Sequence, residues 1–195
     1  MLGRSAAGLV LAVGCLALFR NLRGAAGAPS GARGSLGIVR PPGALDESAF
    51  LSRCIRCTRC ADACQARCIH LFGPEAGGLQ GTPYILPSRR GCNLCLACGP
   101  ACPTEALVPV DSREGVSIGV AVVDERLCVS HNGTGICGAC HTVCPLRDKA
   151  ITQDQHNAPV VHAESCTGCG LCEEACIVRD RRAIRVKTAR NWQAT

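Results

Sequence analysis

The chain has 195 residues with a formal net charge of +6, and 18 of the residues are cysteines while only 3% are aromatic. Proteins that bind single-stranded nucleic acid stack its bases on aromatic side chains, and few such side chains are present here. The composition therefore argues against nucleic-acid binding despite the positive charge. The same shortage excludes a large aromatic core. It predicts that bound cofactors form part of the interior, as metals do in small metal-dependent domains.

Residues 1–28 are predicted to be an N-terminal signal or membrane anchor segment. An apolar run over residues 5–19 follows Arg4, and about fifteen residues suit the hydrophobic region of a signal peptide better than a membrane span. Cys15 lies inside this run and is expected to act as an ordinary apolar residue. Residues 29–44 are rich in Gly, Ala, Pro and Arg and are predicted to be a linker.

Most of the cysteines fall into four blocks of four. Three blocks have the spacing C-x2-C-x2-C-x3-C, which is the ligand run of bacterial ferredoxins for [4Fe–4S] clusters, and the third block differs only in a first gap of eight residues. The spacing therefore predicts four [4Fe–4S] clusters and no other cofactor. The predicted ligands are Cys54, Cys57, Cys60 and Cys64; Cys92, Cys95, Cys98 and Cys102; Cys128, Cys137, Cys140 and Cys144; and Cys166, Cys169, Cys172 and Cys176.

Disulfides and zinc are the two alternative explanations for these cysteines. Cysteines three apart in one turn rarely have the Cα separation and Cβ directions that a disulfide needs. Zinc ribbons usually place two C-x2-C pairs a dozen or more residues apart, whereas each block here holds all four thiols in one short run. The compact spacing favours iron.

The blocks begin at residues 54, 92, 128 and 166, which predicts four copies of one structural unit. The ferredoxin-type repeats are placed at residues 45–75, 83–112, 119–155 and 157–188. A helix is expected over residues 45–53, strands over 116–123, 159–162 and 183–187, and an irregular connection over 70–91. The predicted fold class is α+β, with tandem 2[4Fe–4S] modules in which short strands and helical turns surround the clusters.

The pairing of the blocks is open at this level. In two-cluster ferredoxins the fourth cysteine of each run binds the other cluster of the pair. Sequential pairing is the simplest arrangement, with blocks one and two together and blocks three and four together. Pro103 and Pro145 follow the last cysteine of blocks two and three alone, and this favours a nested pairing of block one with four and block two with three.

Three further features stand out near the blocks. Cys68 lies four residues after Cys64; it is interpreted as a free thiol, with competition for the same cluster as the alternative. His141 lies inside the third block, where ligation or proton relay is a weaker hypothesis than an ordinary surface role. The eight-residue insertion in that block is expected to loop outward.

The positive charge is concentrated in two places. Four arginines flank the first block, and six basic residues follow the fourth with only Asp180 opposing them. They are interpreted either as solvated surface or as a docking site for an acidic redox partner or a lipid surface. The residues are Arg53, Arg56, Arg59 and Arg67 at the first block, and Arg179, Arg181, Arg182, Arg185, Lys187 and Arg190 after the fourth.

The sequence has no dinucleotide-binding glycine motif, phosphate-binding loop or nucleophile elbow. It therefore predicts an electron carrier with no catalytic residues, no small-molecule substrate and no nucleic acid. The alternatives are an iron–sulfur subunit of a molybdenum or hydrogenase-type oxidoreductase complex and a zinc-binding interaction module.

The stretch Arg40-Pro41-Pro42-Gly43-Ala44-Leu45-Asp46-Glu47-Ser48-Ala49-Phe50 resembles the NapG/MauM family of ferredoxin-type proteins. Gly81-Thr82-Pro83-Tyr84, Cys144-Pro145 and Cys166-Thr167-Gly168-Cys169-Gly170 also agree, so the resemblance covers residues 38–188. It implies an electron-transfer protein at the periplasmic face of the cytoplasmic membrane. Its expected partners are a membrane quinol-oxidising ferredoxin and a terminal reductase of the nitrate reductase kind, or the methylamine-utilisation pathway.

Two departures from the family pattern affect these expectations. No Arg-Arg pair precedes the apolar run, so a cytoplasmic location is the alternative. The first block ends Cys64-Gln65 where Cys-Pro is common in the family, which makes its ligand set the least ordinary of the four.

Overall fold

The computed structural model describes residues 37–188 and residue 190. Its elements are short, with three to seven residues each. In chain order they are α1 (Glu47–Arg53), α2 (Arg59–Asp62), β1 (Ile69–Leu71), a 3-10 helix (Pro74–Leu79), β2 (Pro83–Ile85), β3 (Val120–Val123), α3 (Ala139–Thr142), β4 (Ile151–Gln153), β5 (Pro159–Val161), α4 (Leu171–Ala175) and β6 (Ile184–Lys187).

The predicted helix and strands are present with shorter bounds. The helix begins at Glu47, two residues later than predicted, and the first predicted strand covers only Val120–Val123. The prediction of an irregular connection over residues 70–91 is wrong in part, because β1 and β2 pair there as an antiparallel hairpin. The glycines of this segment lie in the 3-10 helix and the turn between the two strands, and their composition concealed the short pairing.

The two halves of the chain repeat one arrangement. In the second half, β3 precedes the third block and pairs antiparallel with β6, which follows the fourth block; the β4–β5 hairpin lies between the two blocks. In the first half, the β1–β2 hairpin lies between blocks one and two, and a single bridge between Ala44 and Leu107 occupies the place of the β3–β6 pair. The described residues therefore form an α+β fold of two similar halves.

Cysteine and aliphatic side chains form the interior in three buried groups. One belongs to the first half and one to the second, and the middle group contains residues of both halves. These groups include Phe50, Cys60, Cys98 and Leu107; Ala121, Cys140, Ile151, Cys172 and Ile184; and Val39, Cys64, Cys68, Ile85, Cys92 and Cys169, respectively. The shared group shows that the two halves have a common core.

Backbone hydrogen bonds join the halves at the same place. The Cys92 N–H donates to the Cys169 carbonyl oxygen over 2.7 Å, and the Gly91 N–H donates to the Glu174 carboxylate over 2.7 Å. A Cβ on Gly91 would lie 2.5 Å from the Leu171 nitrogen, so this approach requires glycine. The second and fourth blocks are thereby held against each other.

The residues before the first helix are packed and not flexible, although they lie at the end of the predicted linker. Val39 is fully buried and pairs with Ile85 through two backbone hydrogen bonds of 2.9 and 2.7 Å. Arg40 is also fully buried, where it forms an ion pair with Glu47 and lies 4.4 Å from the centre of the Phe50 ring. Arg40 also donates to the Thr82 hydroxyl over 2.9 Å and to the Pro83 carbonyl oxygen over 2.6 Å, so this buried charge ties the residues before α1 to the β1–β2 hairpin.

The predicted signal or anchor segment, including Cys15, lies outside the described residues. Among the residues that are described, no helix has the length and apolar character needed to cross a membrane.

Candidate metal centres

The first cavity is lined by three cysteines of block one and one of block two. We call it site 1, and its thiols are those of Cys54, Cys57, Cys60 and Cys102. Cys54 and Cys57 lie on the loop between α1 and α2, Cys60 lies in the first turn of α2, and Cys102 comes from the end of block two. Apolar residues such as Phe50 and Leu107 form the rest of the wall.

The second half holds two such cavities. Site 3 is lined by Cys128, Cys137 and Cys140 together with Cys176 from block four. Site 4 is lined by Cys166, Cys169 and Cys172 together with Cys144 from block three. Each site therefore receives three thiols from one block and the fourth thiol from the other.

The remaining cysteines of the first half assemble around site 2. Cys98 lies in one buried group with Cys60 and Cys102, and burial, followed by the charge of Cys92, raises the pKa of Cys98 to about 12. Cys64 of block one lies on the same side, in one buried group with Cys92. Because sites 1, 3 and 4 use the other twelve predicted ligands, the four that remain, Cys92, Cys95, Cys98 and Cys64, are assigned to site 2.

The nested pairing that the prolines favoured is wrong. The structure pairs block one with two and block three with four, and the fourth cysteines are exchanged within each pair. The physical reason is the connection between paired blocks, because the β1–β2 and β4–β5 hairpins turn the chain back at once. A proline after the last cysteine shapes only the local turn and carries no information on which block lies opposite.

The spacer residues adopt a repeated backbone conformation that the sequence analysis missed. In the first, second and fourth blocks, the residue before the second cysteine has a positive φ (Arg56 58°, Leu94 56°, Gly168 73°). The residue after that cysteine also has a positive φ: Thr58 65°, Leu96 60° and Gly170 84°. Left-handed backbone at non-glycine residues costs about 1–3 kcal/mol each, and such strain concentrates at functional sites. Here it curls the chain around the cavity.

The thiols resist ionisation when they are buried without a cation. Burial is the main cause that raises the pKa of Cys60, Cys140 and Cys169 to about 11, and it also raises the pKa of Cys172 well above the ordinary value of a thiol. These groups are protonated at neutral pH unless iron replaces the proton. Cluster assembly must therefore release protons, as binding of metals to thiols generally does.

Backbone donors favour the opposite, charged form at several sulfurs. Burial alone would raise the pKa of Cys102, but N–H groups of Leu107, Thr104 and Ala106 outweigh it and lower that pKa. The Leu94 N–H lies 3.4 Å from the Cys92 sulfur, and the Ala121 N–H lies 3.4 Å from the Cys166 sulfur. N–H groups directed at thiolates stabilise cluster ligation and adjust the reduction potential.

The donor set fits an iron–sulfur cluster in chemistry and arrangement. Sites 1, 3 and 4 each offer four soft thiols around an apolar cavity, and backbone N–H groups supply polar contacts to sulfurs such as those of Cys102 and Cys166. Within residues 37–188 and 190, no cluster of three or more Cys, His, Asp or Glu side chains is arranged to hold a single metal ion. At sites 1, 3 and 4 the four thiols instead line a cavity.

Cys68 lies at site 2 and not at the site of its own block. Its side chain is fully buried, and its sulfur is 3.6 Å from the Cys64 sulfur. The Cys68 thiol donates to Cys92; this hydrogen bond, opposed by burial, lowers the pKa of Cys92 to about 7 and raises that of Cys68. The spare cysteine thus contacts two of the four predicted ligands of site 2.

Replacing Cys68 with alanine is expected to leave the iron content unchanged and to lower the reduction potential of one cluster. The S–H donor stabilises electron density on the Cys92 sulfur, and its removal disfavours the reduced state. An anaerobic redox titration followed by electron paramagnetic resonance measures the shift. Cys68→Ser retains a donor and is the matched control. A loss of about four iron atoms in either variant would contradict the assignment of Cys64 as the ligand.

The structure also shows where His141 and the eight-residue insertion of the third block lie. His141 on α3 lies 2.8 Å from the Asp148 carboxylate, and so its ring is held by a partner away from the cavity. The insertion of the third block does loop outward: residues 132–136 are exposed, and Ile136 is 83% exposed. Ser130 anchors its base by accepting from the Cys137 N–H over 2.9 Å.

The contacts between neighbouring sites follow one path through the molecule. Cys60 of site 1 and Cys98 of site 2 share a buried group. Site 2 meets site 4 where the Cys92 N–H donates to the Cys169 carbonyl oxygen. Cys172 of site 4 and Cys140 of site 3 share the next buried group. The sites therefore follow the spatial order 1, 2, 4, 3, which differs from their order in the sequence.

The geometry defines a tandem two-cluster ferredoxin. Two family models agree with it, and both are described as "4Fe-4S dicluster domain"; they match residues 53–106 and residues 121–177. These ranges coincide with the two halves and with the sequential pairing of the blocks.

Sequence identity to known proteins shows the family of this chain. A ferredoxin-type protein NapG of Haemophilus influenzae is 39% identical over 76% of this chain and 58% of its own length. A methylamine utilization ferredoxin-type protein MauM of Methylorubrum extorquens is 40% identical over 76% of this chain and 71% of its own. NapG of Escherichia coli is 36% identical over 76% and 69%, respectively. The chain belongs to the NapG/MauM family of ferredoxin-type proteins, as its motifs predicted.

The chain spans under two thirds of the Haemophilus protein and about seven tenths of the other two. No solved structure matches it. As a family member with two dicluster domains, it is an iron–sulfur electron carrier of the ferredoxin type.

Proposed function

We propose that the chain is a polyferredoxin with four [4Fe–4S] clusters, one at each of sites 1 to 4. The observation that supports this most directly is the exchange of fourth cysteines, since three thiols from one block and one from its pair is the ligand pattern of two-cluster ferredoxins. A bound [4Fe–4S] cluster supplies one-electron redox chemistry. The protein positions the clusters and shields them with apolar walls.

The spatial order of the sites supports transfer through the whole chain. Tunnelling rates fall steeply with distance, so an electron moves between centres whose ligands share a buried group or a hydrogen bond. The chain itself then needs no substrate site, and its role is to pass electrons between two other proteins. Sites 1 and 3 are the two ends of this path.

The relatives suggest the pathway. We propose that electrons pass between a membrane quinol-oxidising partner and a periplasmic reductase of the nitrate reductase kind, or enter the methylamine-utilisation pathway. The support is the family membership, together with the assignment of the MauM relatives to methylamine utilization by name. We further propose a location at the periplasmic face of the cytoplasmic membrane, supported by the apolar run of residues 5–19.

Anaerobic purification tests the cluster content. About 16 iron and an equal amount of sulfide per chain are expected, with a broad visible absorption that a one-electron reductant bleaches. Zinc in place of iron, or a colourless protein after reconstitution with iron and sulfide, would defeat the proposal. A catalytic chain that copurifies in constant stoichiometry would instead identify a subunit of an oxidoreductase complex. Fractionation of cells that express the tagged full chain tests the location.

A further inference from the structure

The surface around site 1 is basic and has an apolar centre. We call it the site 1 face and define it by Arg53, Ile55, Arg56, Cys57 and Arg59. All five residues are exposed, and Ile55 is 62% exposed. Ile55, Arg56 and Cys57 also line the cavity of site 1, so this face and the cavity share one wall.

The arginines of this face have their charge available. Among the described residues, no carboxylate lies within 4 Å of the guanidinium groups of Arg53, Arg56 or Arg59. Arg56 donates only to backbone carbonyls, those of Gln80 and Gly78, at 2.8 and 3.2 Å. Residues 53–67 contain four arginines against one carboxylate, that of Asp62. The face thus carries a net positive charge, and in the described part of the chain none of its three guanidinium groups is in an ion pair.

The face lies at one end of the path through the sites. Cys57 is the predicted ligand with an exposed side chain, whereas Cys60 in α2 is buried and belongs to the buried group that also contains Cys98. An electron that enters at Cys57 therefore has a route inward to site 2. A short-lived redox complex needs a small contact area, and a polar rim around an apolar centre suits it.

We propose that the site 1 face docks an acidic redox protein, which exchanges one electron with the centre at site 1. The inference rests on the proposed electron-carrier function. Carboxylates of the partner face Arg53 and Arg59, and an apolar surface covers Ile55. In the inward direction the partner loses one electron and is oxidised, and iron at site 1 gains it and is reduced; no bond is formed or broken. A protein suits the face better than a lipid surface because the exposed ligand requires a redox centre opposite it.

The test uses the holoprotein and a reduced plant-type [2Fe–2S] ferredoxin of net negative charge as the acidic probe. The test variant is Arg53→Glu/Arg59→Glu. The matched control is Arg147→Glu/Lys149→Glu, which changes the net charge equally at exposed positions of the second half. Binding is measured by calorimetry with the oxidised probe, and electron transfer by anaerobic stopped-flow, both at low and high salt.

The test variant is expected to associate about tenfold more slowly than the unmodified protein at low salt, and the difference should shrink at high salt. The control pair should remain close to the unmodified protein in both measurements. The neutral pair Arg53→Gln/Arg59→Gln should give a smaller change in the same direction. If the Arg53→Glu/Arg59→Glu variant loses iron, the neutral pair is used in its place.

Photoreduction without any protein partner distinguishes a failure of the proposed electron-carrier function from a failure of the docking proposal. If the unmodified protein accepts no electrons, the proposed function fails. If all variants are reducible but the test variant binds and reacts like the control, only the docking proposal fails. Vesicles of phosphatidylglycerol provide the remaining arm: binding that depends on Arg53 and Arg59, with no effect on the acidic probe, would assign the face to a membrane surface and overturn the proposal.

Discussion

Replacing Cys102 with alanine is expected to abolish the cluster of site 1, although Cys102 belongs to the second block. Its side chain lines the cavity of Cys54, Cys57 and Cys60, and alanine offers no ligand in its place. Mössbauer spectroscopy should count three intact [4Fe–4S] clusters, and the cluster of site 1 should be either absent or converted to a three-iron form. The clusters of the second half should be unaffected.

Two double variants make the expected result decisive. Cys57→Ala/Cys102→Ala removes two ligands of one site, so Mössbauer spectroscopy should still count about three intact [4Fe–4S] clusters. Cys95→Ala/Cys102→Ala removes one ligand from each of two sites and should leave about two intact [4Fe–4S] clusters. If each block bound its own cluster, the order would be reversed. Cys144→Ala/Cys169→Ala and Cys137→Ala/Cys144→Ala repeat the comparison in the second half, should the first half fail to fold.

Replacing Gly168 with alanine is expected to lower the midpoint temperature of cluster bleaching by about 6–12 °C. Gly168 has a φ of 73°, and a Cβ there would lie 2.4 Å from the Gly119 carbonyl oxygen and 2.5 Å from the Gly119 nitrogen. The left-handed backbone and the overlap together cost about 3 kcal/mol. The strand β3 begins directly after Gly119, so the substitution pushes it away from site 4.

Gly133→Ala is the matched control. Gly133 has the same φ of 73°, but nothing lies within 4 Å of its added Cβ. It should therefore show only the backbone cost of about 1 kcal/mol, or about 2–4 °C. The measurement is the temperature at which visible absorption is half lost under anaerobic conditions. Equal shifts in the two variants would show that crowding at Gly119 has no effect on stability.

Cysteine spacing alone predicted the kind of site. Four runs of four thiols specify the ligand type, because a single short loop places three thiols around one polynuclear centre. The family was equally visible, since its motifs lie in continuous stretches such as residues 40–50. Both inferences needed only local information.

The pairing of the blocks could not be predicted in the same way. It depends on two hairpins of three-residue strands, and strands this short leave a weak periodic signal in the sequence. The left-handed spacers were missed because block four uses glycine there, whereas blocks one and two place arginine, threonine and leucine in the same conformation. For those residues the surrounding structure overrides the local preference.

The position of Cys68 was the feature of the site that the sequence predicted least well. In the sequence it lies close to Cys64 and was interpreted as a spare thiol of block one. In the structure Cys64 crosses to site 2, and Cys68 accompanies it to a position against Cys92. A contact between residues that are 24 positions apart follows only from the exchange of fourth ligands.

The sequence by itself determined the cysteines, their grouping in fours and the membership in a ferredoxin-type family, because these properties reside in short contiguous runs. Only the tertiary structure decided which thiols share a site and that the sites follow the order 1, 2, 4, 3. The physical reason is that each site is closed by a residue from another block. The hairpins turn the paired blocks toward each other. Gly91 and Gly168 pack against Leu171 and Gly119, respectively, which lie more than 40 residues away along the chain.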